Sequence, residues 1–174
     1  MSMSYAQIVE GCRRRNANAQ RALYDELAPM AMGVCYRYTA DRDEAKDLLQ
    51  DGFVKVFERI GALRDPQKLR SWTYNIMVNT CIQYYRRSRH TVLQEMDDYV
   101  DNDDDELPYT MEDIVKALSV ISPAQRMAFN LLCVEELPIA EAAGKMNCSE
   151  SAVRVALCKA RKKMRLYLEN INTL

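Results

Sequence analysis

RSWTYNIMVNTCIQYYRRSRH, residues Arg70–His90, decides the fold of this chain because its side chains separate into two unlike faces on a helix. At about 100° per residue, one narrow stripe is apolar or aromatic, which predicts packing in a core. That stripe comprises Tyr74, Met77, Val78, Cys81 and Tyr85. The opposite face combines an aromatic ring, amides and fixed positive charge. It comprises Trp72, Asn75, Asn79, Gln83, Arg86, Arg87 and His90.

The chemistry of this second face suits unpaired nucleic acid. Amides can read base edges, aromatic rings can stack on bases that have left the duplex, and arginines pair with phosphate. The alternative is a solvated polar face on which Trp72 seals the edge of the core. The helix by itself leaves both interpretations open.

The charge of the chain is unevenly distributed. The net charge of −1 argues against a nucleic-acid protein, but the average conceals the pattern. Residues 1–90 hold 15 basic and 10 acidic residues. Residues 91–112 hold no basic and 9 acidic residues, and residues 113–174 hold 9 basic and 6 acidic residues. Two mildly basic bodies joined by an acidic segment are therefore predicted.

Cysteine spacing and the N-terminus exclude several classes of protein. The six cysteines show no Cys-x-x-Cys pair and are accompanied by one histidine, so no metal site and no cofactor is expected. Most lie in apolar helical patterns, where reduced thiols act as small hydrophobes. The first 15 residues lack the apolar core of a signal peptide, and no run is long enough for a membrane span. These features predict a cytoplasmic protein without membrane insertion.

The pattern before Arg70 is helical throughout. Ser4 is a candidate N-cap for a first helix that ends in Arg13–Arg15, and a second helix follows. Pro29 predicts a break, or the first turn of a further helix. Asp41–Ile60 has a broad apolar face and an acidic face, the latter comprising Asp43, Asp47, Gln50, Asp51, Val54 and Glu58. DNA would repel that face, so it suits water or a basic protein partner.

Two non-helical segments divide the chain. Residues 61–68 form a loop, because the residue before a proline is disfavoured in helices. Residues 93–111 combine clustered acid with little apolar content, which is typical of a flexible linker. Residues 1–92 and 112–174 are therefore predicted as two small helical domains of an all-α protein.

The C-terminal domain is predicted as a helix-turn-helix. Ser122 is followed by proline and then by a glutamine at the third position, which is a strong start signal. Pro138 opens a short helix that Asn147 can end, and Ser149 caps a longer basic helix. A short helix, a tight turn and a longer basic helix are the arrangement that places the last helix in the major groove of DNA.

Three segments in this order resemble the sigma factors of bacterial RNA polymerase, of the short extracytoplasmic-function type. They are DEAKDLLQDGFVKVFERI, LRSWTYNIMVNTCIQYYRRSR and LPIAEAAGKMNCSESAVRVALCKARKKMR. The resemblance covers about residues 5–92 and 112–168. It implies a region 2 domain that docks on core polymerase and captures the −10 element as single strand, and a region 4 domain that holds the duplex −35 element. It also implies an anti-sigma factor as partner, and a linker that threads the polymerase's RNA channel.

The resemblance assigns candidate residues to each surface. The polymerase-docking residues would be Asp47, Gln50, Asp51 and Val54. The −10 residues would be Arg64, Lys68, Arg70, Trp72, Asn79, Gln83, Arg86 and Arg87. The −35 residues would be Ser149, Ser151, Ala152, Arg154, Val155 and Lys159. The chain departs from the family where Gln83 replaces a frequent Asp, Asn147 and Ser151 replace glycines, and Ala156 replaces an arginine.

Two other functions stay open on the residues alone. A helix-turn-helix repressor would bind duplex DNA tightly without polymerase, at a palindromic site. A helical interaction module with incidental charge would have no effect on DNA. An enzyme is disfavoured, because the sequence carries no paired-carboxylate, Cys/His or glycine-rich phosphate constellation.

Overall fold

The computed structural model describes residues 3–88 and 110–171, and every regular element in those ranges is helical. The eight α-helices found there are α1 (Tyr5–Arg13), α2 (Ala17–Thr39), α3 (Arg42–Arg59), α4 (Leu69–Ser88), α5 (Met111–Ala117), α6 (Pro123–Phe129), α7 (Ile139–Met146) and α8 (Glu150–Ile171). The all-α prediction is confirmed.

The chain divides into two compact units, Met1–Cys81 and Ile82–Leu174. The division falls inside α4, ahead of the predicted domain end at residue 92. Residues 93–109 of the predicted linker, and His90, lie outside the described residues. The end of that predicted linker is helical, since α5 begins at Met111. The flexible linker itself stays a prediction.

Helix α1 begins and packs as its sequence predicts. The Ser4 hydroxyl accepts from the N–H of Gln7 and the Gln7 side chain accepts from the N–H of Ser4, so a capping box starts the helix. Its Ile8, Val9 and Cys12 are buried. Gly11 permits a close approach to α2, because a Cβ on this residue would lie 2.4 Å from the Cβ of Ala19.

The prediction of a break at Pro29 was wrong, since α2 continues through it from Ala17 to Thr39. A proline inside a helix costs about 3 kcal/mol, while each buried leucine stabilises by about 1.5–3 kcal/mol. Pro29 is exposed, whereas Leu23 and Leu27 before it and Ala31 and Val34 after it are all buried. One continuous buried stripe on both sides of the proline therefore outweighs the lost hydrogen bond.

Helices α3 and α4 bury the faces that their periodicity predicts. In α3, the buried residues are Ala45, Leu48, Leu49, Gly52, Phe53 and Val56. A Cβ on Gly52 would lie 2.2 Å from the Met77 sulfur, so these two helices touch closely there. In α4, Met77, Val78, Cys81 and Tyr85 are buried as predicted, and Tyr74 is half-buried. The predicted loop at 61–68 contains two short 3-10 turns, Ile60–Ala62 and Pro66–Lys68.

The C-terminal unit has the predicted helical starts and a cluster of buried apolar residues. Thr110 and Ser122 each form a capping box, and Asn147 ends α7 in the left-handed conformation. The core joins the end of α5 to α6 and to the inner stripe of α8. Its buried members are Ala117, Leu118, Ile121, Phe129, Ala160, Met164 and Leu168. Residues Asn130–Val134 form a π-helical turn after α6, which the sequence did not predict.

The contact between Gly11 and Ala19 gives a stability prediction with an internal control. Gly11→Ala is expected to lower the free energy of unfolding by about 1–3 kcal/mol, because an alanine Cβ on α2 has no rotamer with which to move away. Gly33→Ala meets nothing within 4 Å, so it is expected to stabilise α2 by up to about 1 kcal/mol through helix propensity. Urea unfolding measures the free energy of unfolding of both variants. Equal values for Gly11→Ala and Gly33→Ala would contradict the prediction.

Candidate functional sites

The outer side of α3 is an exposed acidic stripe, here defined as Asp43, Asp47, Gln50, Asp51, Val54 and Glu58. All six side chains are exposed, as the sequence predicted. Val54 is an exposed apolar side chain within this charged surface, with 55% of its surface accessible. Because the opposite side of α3 is packed in the core, the helix presents the stripe in a fixed orientation.

The carboxylates of the acidic stripe differ in how far they are already neutralised. Lys46 Nζ lies 2.9 Å from Asp43 Oδ1, and this hydrogen bond and charge hold the pKa of Asp43 below its usual value. Within residues 3–88 and 110–171, neither Asp47 nor Asp51 has an ion-pair partner. Their negative charge is therefore available to a basic partner.

An aromatic ring of α2 packs against the aromatic side chains of the same helix. The ring of Tyr24 lies 4.6 Å from that of Phe53, centroid to centroid, and Phe57 follows at 6.1 Å from Phe53. Tyr24 remains 39% exposed, while Phe53 is buried. The packing of α3 on α2 thus leaves the Tyr24 ring partly at the surface.

The segment from the end of α3 to the first turn of α4 presents the first basic residues of the candidate −10 surface. Arg64, Lys68 and Arg70 are all exposed, whereas Leu63 and Leu69 are buried and anchor the segment at both ends. The cationic side chains are therefore carried on a short segment whose path is held by apolar contacts. Their assignment to the −10 surface stays a prediction.

The outward face of α4 continues this surface along one helix. Asn75, Asn79, Gln83, Arg86 and Arg87 are exposed. Trp72 is only half-buried, so its ring combines contact with the core and access to solvent. Its partial exposure is therefore compatible both with stacking on an unpaired base and with sealing the edge of the core.

The inner side of α4 is tied to α2 and α3 by polar contacts. Arg37 donates to the Tyr74 hydroxyl at 3.0 Å, and Lys55 Nζ donates to Thr80 Oγ1 at 3.0 Å. Cys81 is buried beside Cys35, and their hydrogen bond together with burial raises the pKa of the Cys81 thiol. These contacts fix the rotation of α4 about its axis, and so decide which side chains face outward.

Helix α8 places the candidate −35 residues at its amino-terminal end. Ser149 caps the helix, since its hydroxyl accepts from the N–H of Ala152 at 3.1 Å. Ser151, Ala152 and Arg154 are exposed. Arg154 Nη2 lies 3.4 Å from Glu150 Oε2, and both side chains are largely exposed. Such a surface pair contributes at most about 1 kcal/mol, so Arg154 can exchange it for another acceptor.

The remaining −35 candidates lie slightly deeper. Val155 and Lys159 are half-buried on the same helix, and the opposite side of α8 is packed through Val153, Ala160 and Met164. The helix therefore presents a shallow surface of small, apolar and basic groups. This is the composition expected where side chains approach base edges and phosphates together.

The sequence did not predict one contact that lies beside the candidate −10 surface. Arg13 Nη2, at the end of α1, donates to the carbonyl oxygen of Leu63. The two residues are 50 positions apart, and no periodicity or motif links them. The basic run Arg13–Arg15 was visible in the sequence, but its proximity to the segment after α3 was not.

The described residues show neither a membrane helix nor a metal cluster. In the part of the chain that the structure describes, no helix is long and apolar enough to cross a membrane. No group of three His, Cys, Asp or Glu side chains in those ranges could hold a metal ion. All six cysteines are free thiols.

Two family models match the chain, one on each body. Sigma-70 region 2 matches residues 23–91, and sigma-70 region 4 matches residues 111–164. Helix α1 lies outside both matches.

Among individual proteins, the chain is 26% identical over 138 residues to the RNA polymerase sigma factor SigV of Bacillus subtilis, covering 78% of this chain and 82% of the relative. It is 28% identical over 159 residues to the ECF RNA polymerase sigma factor SigM of the same organism, covering 85% of this chain and 97% of the relative.

The chain is also similar to solved structures. The sigma factor RpoE, crystallised with the anti-sigma factor NepR from Bartonella quintana, is 21% identical with a TM-score of 0.48, covering 81% of this chain and 91% of that one. CnrH, in complex with the cytosolic domain of CnrY, is 19% identical with a TM-score of 0.47, covering 95% of both chains.

Proposed function

The chain belongs to the extracytoplasmic-function sigma factors and is a promoter-specificity subunit of bacterial RNA polymerase, and from this premise we propose which of its surfaces performs each step of initiation. One observation carries the proposal. Helices α3 and α4 each bury one side in the core, and the candidate acidic, amide and arginine residues of both helices lie on the exposed side.

The acidic stripe is the proposed docking surface for core polymerase, through Asp47, Gln50, Asp51 and Val54. The unneutralised carboxylates Asp47 and Asp51 support it, because they lie one helical turn apart on a body whose sequence is otherwise basic. The exposed Val54 supplies an apolar contact beside them. A partner surface that combines lysine or arginine with apolar side chains would complement this pattern.

The segment after α3 and the outward face of α4 are the proposed −10 surface. Its residues are Arg64, Lys68, Arg70, Trp72, Asn79, Gln83, Arg86 and Arg87. Single-strand capture suits this surface better than duplex readout, because an aromatic ring and amides lie between groups that bind phosphate. Extruding a base costs a few kcal/mol, and stacking returns about 1–3 kcal/mol per base. Promoter melting therefore depends on the additional contacts of the polymerase.

Helix α8 is the proposed −35 reader, through Ser149, Ser151, Ala152, Arg154, Val155 and Lys159. Its exposed amino-terminal end supports this assignment, since recognition helices contact base edges with their first turns. Ser149 contributes through its backbone position, because its hydroxyl already caps the helix.

The proposed role is recognition without a covalent step, performed in the cytoplasm where transcription takes place. We also propose an anti-sigma factor as a regulatory partner, as the family resemblance implies. No described residue singles out the surface that such a partner would bind. The repressor alternative loses support, because sigma-70 regions match both bodies in the family order.

The −35 assignment is tested with Arg154→Ala in transcription reactions reconstituted with core polymerase. If the guanidinium makes a bidentate base contact, the variant is expected to lose about 1–3 kcal/mol at a preferred promoter. This corresponds to a roughly 5- to 150-fold loss of affinity, and to relaxed selectivity at one base pair. A panel of −35 variants measures it.

Lys163→Ala is the matched control for this experiment. Lys163 is exposed on α8, about 13 Å farther along the helix than Arg154. We expect no change in base preference for this variant. A uniform loss across all −35 sequences with Arg154→Ala would make the arginine a phosphate contact and contradict its assignment as a base reader.

A further inference from the structure

The end of α1 is held against the proposed −10 surface. The Arg13 guanidinium donates to the carbonyl of Leu63, the residue directly before Arg64. Helix α1 also contacts both short turns of this segment, Ile60–Ala62 and Pro66–Lys68. Two basic runs that are distant in sequence therefore lie on one side of the N-terminal unit.

The three arginines at the end of α1 differ in what they contact. Arg13 donates to the carbonyl of Leu63 and also lies 3.6 Å from Glu10. Arg14 pairs with Glu10 at 2.9 Å but remains 76% exposed. Arg15 is exposed and has no ion-pair partner in residues 3–88 and 110–171. Glu10 thus pairs with two of the three arginines, and net positive charge remains at the surface.

Helix stabilisation accounts for only part of this run. Basic residues in the last turn complement the helix dipole, which explains Arg13. Arg15 lies beyond the helix with a φ of 57°, a conformation that glycine or asparagine adopts more readily. A long cationic side chain at this position is therefore not required by the fold.

We propose that Arg14 and Arg15 extend the −10 surface and bind phosphate groups of the promoter strand that Arg64 and its neighbours hold. This inference rests on the proposed function of residues 64–87. Arg13 acts as a positioning residue, since it joins the two basic runs through Leu63. The partner is the phosphodiester backbone, so the contact adds affinity without reading sequence. Helix α1 lies outside the residues matched to sigma-70 region 2.

The test is the salt dependence of promoter binding by reconstituted holoenzyme that carries Arg14→Gln and Arg15→Asn. Each phosphate contact on single-stranded DNA contributes about 0.7 to the slope of log affinity against log salt. Loss of both contacts should therefore lower the magnitude of the slope by about 1.4. The loss should be equal for all −10 sequences. The single variant Arg15→Asn should lower it by about 0.7, and asparagine suits the left-handed backbone.

Two control variants accompany this test. Arg42→Gln is the negative control, and Arg64→Gln tests the −10 surface itself. Arg42 is exposed at the start of α3, about 27 Å along that helix from the turn at Ile60, and its loss should leave the slope unchanged. If the Arg15→Asn slope is unchanged while Arg64→Gln lowers it, the inference is overturned and the −10 assignment stands. If neither variant alters the slope, the proposed role of this whole surface fails as well.

Discussion

Charge reversal at Asp47 and Asp51 is expected to abolish the binding of this chain to core RNA polymerase. Both carboxylates are exposed, one turn apart on α3, and without an ion-pair partner among the described residues. Placing lysines against a basic partner surface replaces two attractions by two repulsions, and like-charge contacts cost several kcal/mol. Asp47→Lys/Asp51→Lys should therefore weaken co-purification with core polymerase by at least about 100-fold, since each 1.4 kcal/mol is tenfold.

The fold should tolerate this double change. Lysine is a better helix former than aspartate, and the side chain introduced by Asp51→Lys meets a like charge at Lys55 that costs only a few tenths of a kcal/mol. The matched control is Glu112→Lys/Glu141→Lys, which alters the net charge equally. These glutamates are exposed in the C-terminal unit, where each pairs with a lysine one turn away. Normal co-purification of the α3 variant, or equal loss in the control, would refute the docking assignment.

Local periodicity explains why so much of α3 and α4 could be predicted. The buried and exposed sides of both helices follow from residue spacing, since a residue's face on a helix depends on its position alone. Capping is similarly local. Ser4, Thr110 and Ser122 each bond to a residue three positions away, so their patterns are visible without a fold.

Features that depend on distant residues could not be predicted. The continuity of α2 across Pro29 reflects buried packing on both sides, which overrides a local helix-breaking signal. The buried Arg126 donates to the carbonyls of Leu118 and Ile121, a use of arginine that charge patterning does not suggest. The Arg13–Leu63 hydrogen bond joins positions 50 residues apart. Each of these features depends on residues that are close only in the folded chain. The sequence therefore does not show that the arginines at the end of α1 lie beside the segment after α3.

The outward amides of α4 should act at promoter opening rather than at initial binding. If Asn79 and Gln83 hold extruded bases, holoenzymes that carry Asn79→Ala or Gln83→Ala should still form closed complexes on duplex promoters. Each lost base contact is worth about 1–3 kcal/mol, so opening should slow about fivefold or more. Templates already melted at −10 should largely restore the rate, because the cost of extrusion is removed. Permanganate reactivity of unpaired thymines follows the opening.

Variants at Arg154 and Trp72 are expected to behave differently from the two amide variants. Arg154→Ala acts on the duplex −35 contact, so its defect should appear in closed complexes and persist on melted templates. Trp72 is half-buried, so Trp72→Ala removes core contact as well as a stacking surface and requires a thermal melt before its kinetics are interpreted. Absence of rescue by melted templates in both amide variants would show that this face of α4 does not capture single strands. Rescue in the amide variants alone would separate opening from duplex recognition.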